Sequence, residues 1–114
     1  MLRIQQITND SLQKQTILLD DGSSFTMVMY FVPLQYGWFF RELTYLDFTL
    51  RNFRICNDLN MLYQFRNKLP FGIACISAGN REPSLREDFS SGASRLYVLT
   101  EEEMDEYTEY ITSG

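Results

Sequence analysis

The chain has no histidine. That absence removes the commonest general base and the commonest transition-metal ligand, and most catalytic schemes fail on it. A serine or cysteine nucleophile would need another activator, and no G-x-S-x-G elbow surrounds any serine. The six glycines are scattered rather than clustered ahead of a helix, which excludes a glycine-rich phosphate loop. Cysteine is scarce too: Cys56 and Cys75 stand alone in apolar settings, FRICND and GIACIS, and two distant cysteines make no disulfide framework. Both are expected to be reduced, buried small hydrophobes. No apolar run approaches the roughly 18 residues of a membrane span, and the start MLRIQQITND lacks a basic stretch leading into a long apolar one. A soluble, unsecreted protein without a membrane partner is expected.

Positive charge is missing from one region only. Residues 1–100 carry all ten Lys and Arg against nine Asp and Glu, so the net charge of −5 arises after residue 100. Glu101, Glu102, Glu103, Asp105, Glu106 and Glu109 stand there without a basic companion, and such a tail repels a phosphate backbone. Specific nucleic-acid binding is not expected.

What is present fits one globular domain: 114 residues, 45% of them apolar. The runs Gln15–Leu19 and Ser24–Tyr30 flank Asp20-Asp21-Gly22-Ser23, a hairpin signal resting on the positive φ that Asp-Gly tolerates. Along residues 25–32, Phe25, Met27, Met29 and Phe31 alternate with Thr26, Val28, Tyr30 and Val32, so the strand is either central to a sandwich or barrel or covered by a partner. Pro33 and Gly37 mark a connection, after which Gly37–Leu43 reads as an aromatic strand. Residues 47–50 and 52–56 continue as strand, with a bulge or turn at Arg51-Asn52. Behind a capping-type Asp58, the spacing of Leu59, Leu62, Tyr63 and Arg66 predicts one or two helical turns. Pro70 closes them and residues 71–77 form a buried strand. Residues 78–93 read as one long loop anchored by Leu85 and Phe89, and residues 95–99 as the last strand. Thr100 with Glu103 is a capping box opening a helix from about Glu101 to Ile111. The expected fold is mostly β: a small β-barrel or β-sandwich of about six to eight strands with one short internal helix and a C-terminal acidic helix. Residues 1–99 form the β domain and 100–114 an acidic helical extension.

Two carboxylate pairs, Asp20-Asp21 in the turn and Glu87-Asp88 in the loop, match no calcium-loop spacing. No catalytic residue, cofactor or metal ligand is assigned, and the protein is expected not to be an enzyme. Aromatics are the remaining signal: nine Phe, seven Tyr and one Trp exceed what a core this small requires. Tyr36, Trp38, Phe39 and Tyr45 are candidate interface residues, buried between subunits.

A set of motifs runs in order along the chain: Gln15, Asp21-Gly22, Gly37-Trp38-Phe39-Phe40, residues 62–66 (LYQFR), Pro70-Phe71-Gly72, Glu82-Pro83, Glu87-Asp88-Phe89, Gly92 and residues 95–99 (RLYVL). Their order and spacing resemble the cyanophage-type baseplate plug proteins of contractile-tailed bacteriophages, from about Gln15 to Leu99. The acidic extension departs from that pattern. The resemblance implies a structural virion protein of the tail baseplate, plugging or lining the central tail-tube and hub region. It implies assembly in the host cytoplasm, with hub, spike or tube proteins as partners and copies of itself in a ring. Its signature positions take scaffold roles. Gly22, Gly37, Gly72 and Gly92 suit turns or tight approach, Gly37 and Gly72 beside bulky rings. Pro70 and Pro83 set loops, Phe89 pins the long loop, and Trp38, Phe71, Leu96 and Tyr97 pack. The alternative is a small β-barrel binding a ligand or single-stranded nucleic acid on aromatics.

Overall fold

The structure, a computed structural model, describes residues 2–106. Among these, seven strands form two antiparallel sheets: β1 (Leu2–Arg3), β2 (Leu12–Leu18), β3 (Ser24–Val32), β4 (Gly37–Tyr45), β5 (Phe48–Arg54), β6 (Gly72–Ser77) and β7 (Ser94–Leu99). The larger sheet has the order β2-β3-β4-β5 and the smaller the order β1-β7-β6. The architecture is a small β-sandwich and not a closed barrel.

The first hairpin follows its turn chemistry. Gly22 N–H donates to Leu19 O (3.1 Å) and Leu19 N–H to Ser23 O (2.8 Å), enclosing Asp20, Asp21 and Gly22 with Gly22 at φ 87°. This is a three-residue loop rather than the two-residue turn that Asp-Gly alone predicts, with glycine at the left-handed position. After β3, Pro33–Gln35 forms a 3-10 turn and Tyr36 takes φ 48° before Gly37 starts β4. The β4–β5 hairpin closes over Leu46 and Asp47 alone, with Leu46 at φ 52°.

Alternation on β3 delivers Phe25, Met27 and Met29 to the core, each 1% exposed. β4 delivers Trp38, Phe40 and Leu43, and the smaller sheet answers with Ile73, Cys75, Leu96 and Val98. At Arg51-Asn52, where a bulge or turn is expected, β5 runs on in unbroken register with β4, and the bulge lies in β4 at Arg41. Asn52 adopts φ 53°, facing a register shift in β4 where Val28 pairs with Glu42 but Met29 with Phe40.

Of the one or two helical turns that their apolar spacing predicts, residues 58–66 form one, and it is of the 3-10 type. That turn is Tyr63–Phe65, and Leu59 is exposed. The reason lies in β6, whose outer edge takes this segment as a partner. Asp58 and Cys75 exchange both backbone hydrogen bonds, and Met61 N–H donates to Ile73 O (2.9 Å). An edge strand left with unpaired backbone groups outcompetes a short, costly helix nucleus. Asn60, 1% exposed, completes the bracket: its Oδ1 accepts from Leu62 N–H (3.1 Å) and Ile73 N–H (3.3 Å).

The C-terminal capping box forms as expected. Glu103 N–H donates to Thr100 Oγ1 (3.2 Å) and Thr100 N–H to Glu103 Oε1 (3.1 Å). Residues 101–106 are helical, and Met104 packs with Ala74, Leu99 and Tyr97 on the outer face of the smaller sheet. The rest of the expected helix, 107–111, lies outside the described residues.

Gly72 earns its place by contact. A Cβ there would meet the Asn60 carboxamide at 2.6–2.8 Å, whereas at Gly22 it would meet nothing and only the positive φ resists substitution. Gly72→Ala is therefore expected to destabilise by about 1–3 kcal/mol through overpacking. Gly22→Ala should cost about 1–2 kcal/mol through its backbone, with Gly22→Asn recovering most of it. Urea denaturation of the three variants checks this, and equal effects of alanine and asparagine at position 22 would contradict it.

Candidate functional site

The four aromatic residues proposed for an interface part company in the structure. Trp38 is fully buried in the chain's own core, 0% exposed, with its ring edge-on to Phe89 at 5.7 Å and tilted to Phe31 at 5.6 Å. Its indole N–H donates to Leu85 O (3.1 Å). Tyr45 is buried as well, packed edge-on against Phe71 (5.6 Å), which stacks on Phe25 at 4.3 Å. Neither belongs to a free surface. Phe39 is half-buried on the outer face of the larger sheet, and Tyr36 is 71% exposed. The surplus of rings is thus largely taken up internally, in clusters around Trp38, Phe71 and Phe65. The fully exposed apolar groups among the described residues are mainly leucines, with Leu34 at 94% and Leu46 at 76%.

The signature positions resolve into scaffold contacts. Gly37 makes room for the Arg54 guanidinium, whose Nη2 would lie 2.8 Å from a Cβ; Gly72 makes room for Asn60. In both cases the close neighbour is a polar group and not the expected ring. Gly92 turns the loop at φ 82°, Pro83 and Leu96 are buried, Pro70 is half-buried, and Tyr97 packs toward Met104.

The long loop is ordered by one carboxylate. Asp88 is buried, and its two oxygens accept from the Arg81 guanidinium while Oδ2 also accepts from Leu85 N–H (2.8 Å). Asp88 O in turn accepts from Ser94 N–H (2.9 Å), joining the loop to β7. Phe89 is buried as expected, but the Leu85 side chain is 54% exposed. Leu85 anchors the loop through its backbone carbonyl to Trp38, so side-chain hydrophobicity was the wrong signal there. Burial alone would raise the Asp88 carboxyl; the Arg81 hydrogen bonds and the Leu85 N–H outweigh it and hold the group below the ordinary aspartate value. Arg81 lies in the same loop seven residues before its partner, a relation that sequence spacing does not single out.

No catalytic arrangement forms around the carboxylate pairs. Asp21 Oδ1 accepts from the N–H and O–H of Ser23, which together hold its carboxyl below the ordinary value. Asp88 is engaged as described, and Glu87 is exposed. Cys75 is buried, and loss of solvation pushes its thiol up to about 12; Cys56 is pushed up for the same reason. Both are unpaired thiols, held in the protonated, non-nucleophilic form. Among the described residues no three His, Cys, Asp or Glu side chains gather as a metal site.

What the fold does present is a division of charge between opposite faces. On the uncovered face of the larger sheet, cross-strand register places Leu12, Tyr30, Phe39 and Arg54 in one row and Lys14, Val28, Glu42 and Arg51 in the next. A third row is Thr16, Thr26, Thr44 and Thr49. With exposed Arg41 at the bulge, this face holds, among the described residues, four cations and one acid, Glu42, which pairs with Arg51 at 3.7 Å. The opposite side carries Glu101, Glu102, Asp105 and Glu106, all exposed. A cleft of about 500 Å³ is lined by apolar groups including Leu2, Leu18 and Phe71 together with the acids Asp20, Asp21, Glu101 and Glu103.

Compared with known proteins, the chain matches no family model and no curated protein. The geometry therefore stands as the ground for a functional reading.

The Asp88 knot has a pH signature. A carboxyl held below its unfolded value contributes stability that is complete above that value, 3.8, and is lost as pH falls through the lower folded value. Asp88→Asn should lower stability at neutral pH by about 2 kcal/mol and flatten the acid limb of the stability profile. Urea midpoints measured across the acid range test this; an unchanged acid limb in the variant would show that other carboxyls carry it.

Proposed function

We propose that this chain is a non-enzymatic structural component of a contractile bacteriophage tail baseplate. It plugs or lines the central tail-tube and hub region as part of the virion, after assembly in the host cytoplasm. Its partners are copies of itself arranged in a ring and neighbouring hub, spike or tube proteins. The ordered motif series from Gln15 to Leu99 supports the baseplate reading, and its shared positions serve as scaffold in this fold, consistent with a building block rather than a catalyst.

The observation that carries the assembly reading is the charge division. A cationic face on the larger sheet and an acidic helix packed on the smaller sheet lie on opposite sides of one small body, with an acid-rimmed apolar cleft where the two sheets meet. Opposed complementary patches favour head-to-tail contact, in which one copy's face meets the next copy's back; such contacts close into rings when the rotation permits. The interior placement of Trp38 and Tyr45 withdraws the earlier ground, surplus rings, and leaves exposed leucines and charge as the binding features.

A second reading, a single-stranded nucleic-acid module, draws on Tyr30 and Phe39 standing among cations on the open sheet. It is weakened by Arg54, whose guanidinium lies over the Phe39 ring at 5.5 Å and donates to Gln35 O and Tyr36 O. The ring face that a base would stack on is already occupied.

Sedimentation of the full chain at low and high salt tests the proposal. Concentration-dependent association is expected at low salt, weakened at least several-fold by added salt and abolished in the Lys14→Glu/Arg51→Glu double variant. Mass spectrometry of purified particles should find the chain. A salt-indifferent monomer absent from particles would sink the reading. Salt-sensitive oligonucleotide binding lost on Phe39→Ala would instead favour the alternative.

A further inference from the structure

Where the N-terminal segment leaves β7, residues 3–7 pass the end of the long loop and the start of β7. Between them lies a second cavity of about 270 Å³, lined by Arg3, Gln5, Gln6, Ser90, Ser94 and Arg95 together with apolar neighbours. Among the described residues no acidic side chain lines it. Arg3 and Arg95 come from adjacent strands: Arg3 pairs with Tyr97, two positions along from Arg95, so both side chains belong to the same sheet face.

The donors here are unspent. Among the described residues neither guanidinium makes an ion pair or hydrogen bond, and Arg95 Nε is buried with no partner at all. The two hydroxyls are already committed, Ser90 donating to Glu87 O (3.2 Å) and Ser94 pairing with Ser77 Oγ (2.7 Å). That leaves two guanidinium forks and the carboxamides of Gln5 and Gln6. Gln6 also sits at φ 62°, a strained backbone for a residue with a side chain, and such strain gathers at binding sites.

Arginine can only donate, and buried N–H groups without acceptors are rare in folded proteins. The missing complement is an acceptor-rich anion. A carboxylate brings two oxygens, enough for one fork; a phosphate group brings more, and can be held by both arginines with the carboxamides closing around it. The cavity volume matches about nine waters at roughly 30 Å³ each, room for a phosphate group with part of its hydration. We propose that the Arg3–Arg95 cavity binds a phosphate-class oxyanion. The site lies on the smaller sheet, on the face shared with Tyr97 and the 101–106 helix, and away from the cationic face of the larger sheet.

Calorimetric titration of the full chain with inorganic phosphate, at ionic strength held constant with chloride, tests the site. Saturable binding with one-to-one stoichiometry is expected. Amide shifts should be confined to residues 3–7 and 89–96 in a ¹H–¹⁵N spectrum. Arg3→Gln and Arg95→Gln should each weaken binding at least tenfold; Arg3 is exposed and can be replaced without touching the core, so it decides the matter if Arg95→Gln fails to fold. Binding that is unchanged in Arg3→Gln, or absent in the wild-type chain, overturns the proposal. A saturable response to acetate without one to phosphate overturns the ligand class.

Discussion

β4 has to turn Trp38 and Phe40 inward and, further along, Leu43 and Tyr45 inward as well. Strict two-residue alternation forbids this, because Phe40 and Leu43 are three apart and would fall on opposite faces. The register shift at Arg41 resolves the conflict by inserting one residue opposite β3, and β5 absorbs the same insertion through Asn52 in the left-handed region. With the parity reset, Phe53 and Leu50 on β5 face the core beside Phe40 and Leu43. Without it, Glu42 would be driven into the apolar interior and Leu43 into water. The same insertion places Arg41 and Glu42 side by side on the outer face. The bulge thus sets the core and the charged surface together.

The core then organises what has no regular structure of its own. Trp38 reaches from β4 to the Leu85 carbonyl and the Phe89 ring, so the sandwich provides one wall for residues 78–93. Asp88 provides the other attachment, collecting Arg81, Leu85 and, through its carbonyl, Ser94. An ion pair at the surface would contribute little, but this carboxylate is buried and accepts from three donor groups, which makes its partners costly to remove. Loop order follows from two anchors fixed on different sheets.

Several elements were legible from residue chemistry because their causes are local. Asp21-Gly22 marked a hairpin, Pro33 ended β3, and Thr100 with Glu103 capped a helix; each depends on φ preferences or on hydrogen bonds within a few residues. The misreadings depend on distant partners. Residues 58–66 have helical spacing, but the free edge of β6 recruits Asp58 and Met61 and leaves a single 3-10 turn at Tyr63–Phe65. Leu85 looks like an apolar anchor but binds through its carbonyl. Trp38 and Tyr45 looked like interface because an aromatic side chain has the same composition signature whether its neighbour is the same chain or another. The close approaches at Gly37 and Gly72 were legible as such; that Arg54 and Asn60 make them was not. The Leu46-Asp47 turn escaped notice because it lacks the glycine or asparagine that usually marks positive φ.

The uneven charge of the chain acquires meaning only in three dimensions. Along the sequence, the cations of residues 1–100 look balanced by nearby acids. In the fold, Asp58 is drawn into the β6 edge, Asp88 into the loop and Asp20 and Asp21 to the cleft rim. Lys14, Arg41, Arg51 and Arg54 remain on a sheet face where Glu42 is the one acid. The helix at 101–106 is held by Met104 on the other sheet, so its acids cannot fold back to neutralise that face. A body of this size carrying both signs on fixed, opposite surfaces has its complement available in every other copy of itself. The proposed self-association would draw on this division of charge, which a uniformly anionic polymer could match on the cationic face alone.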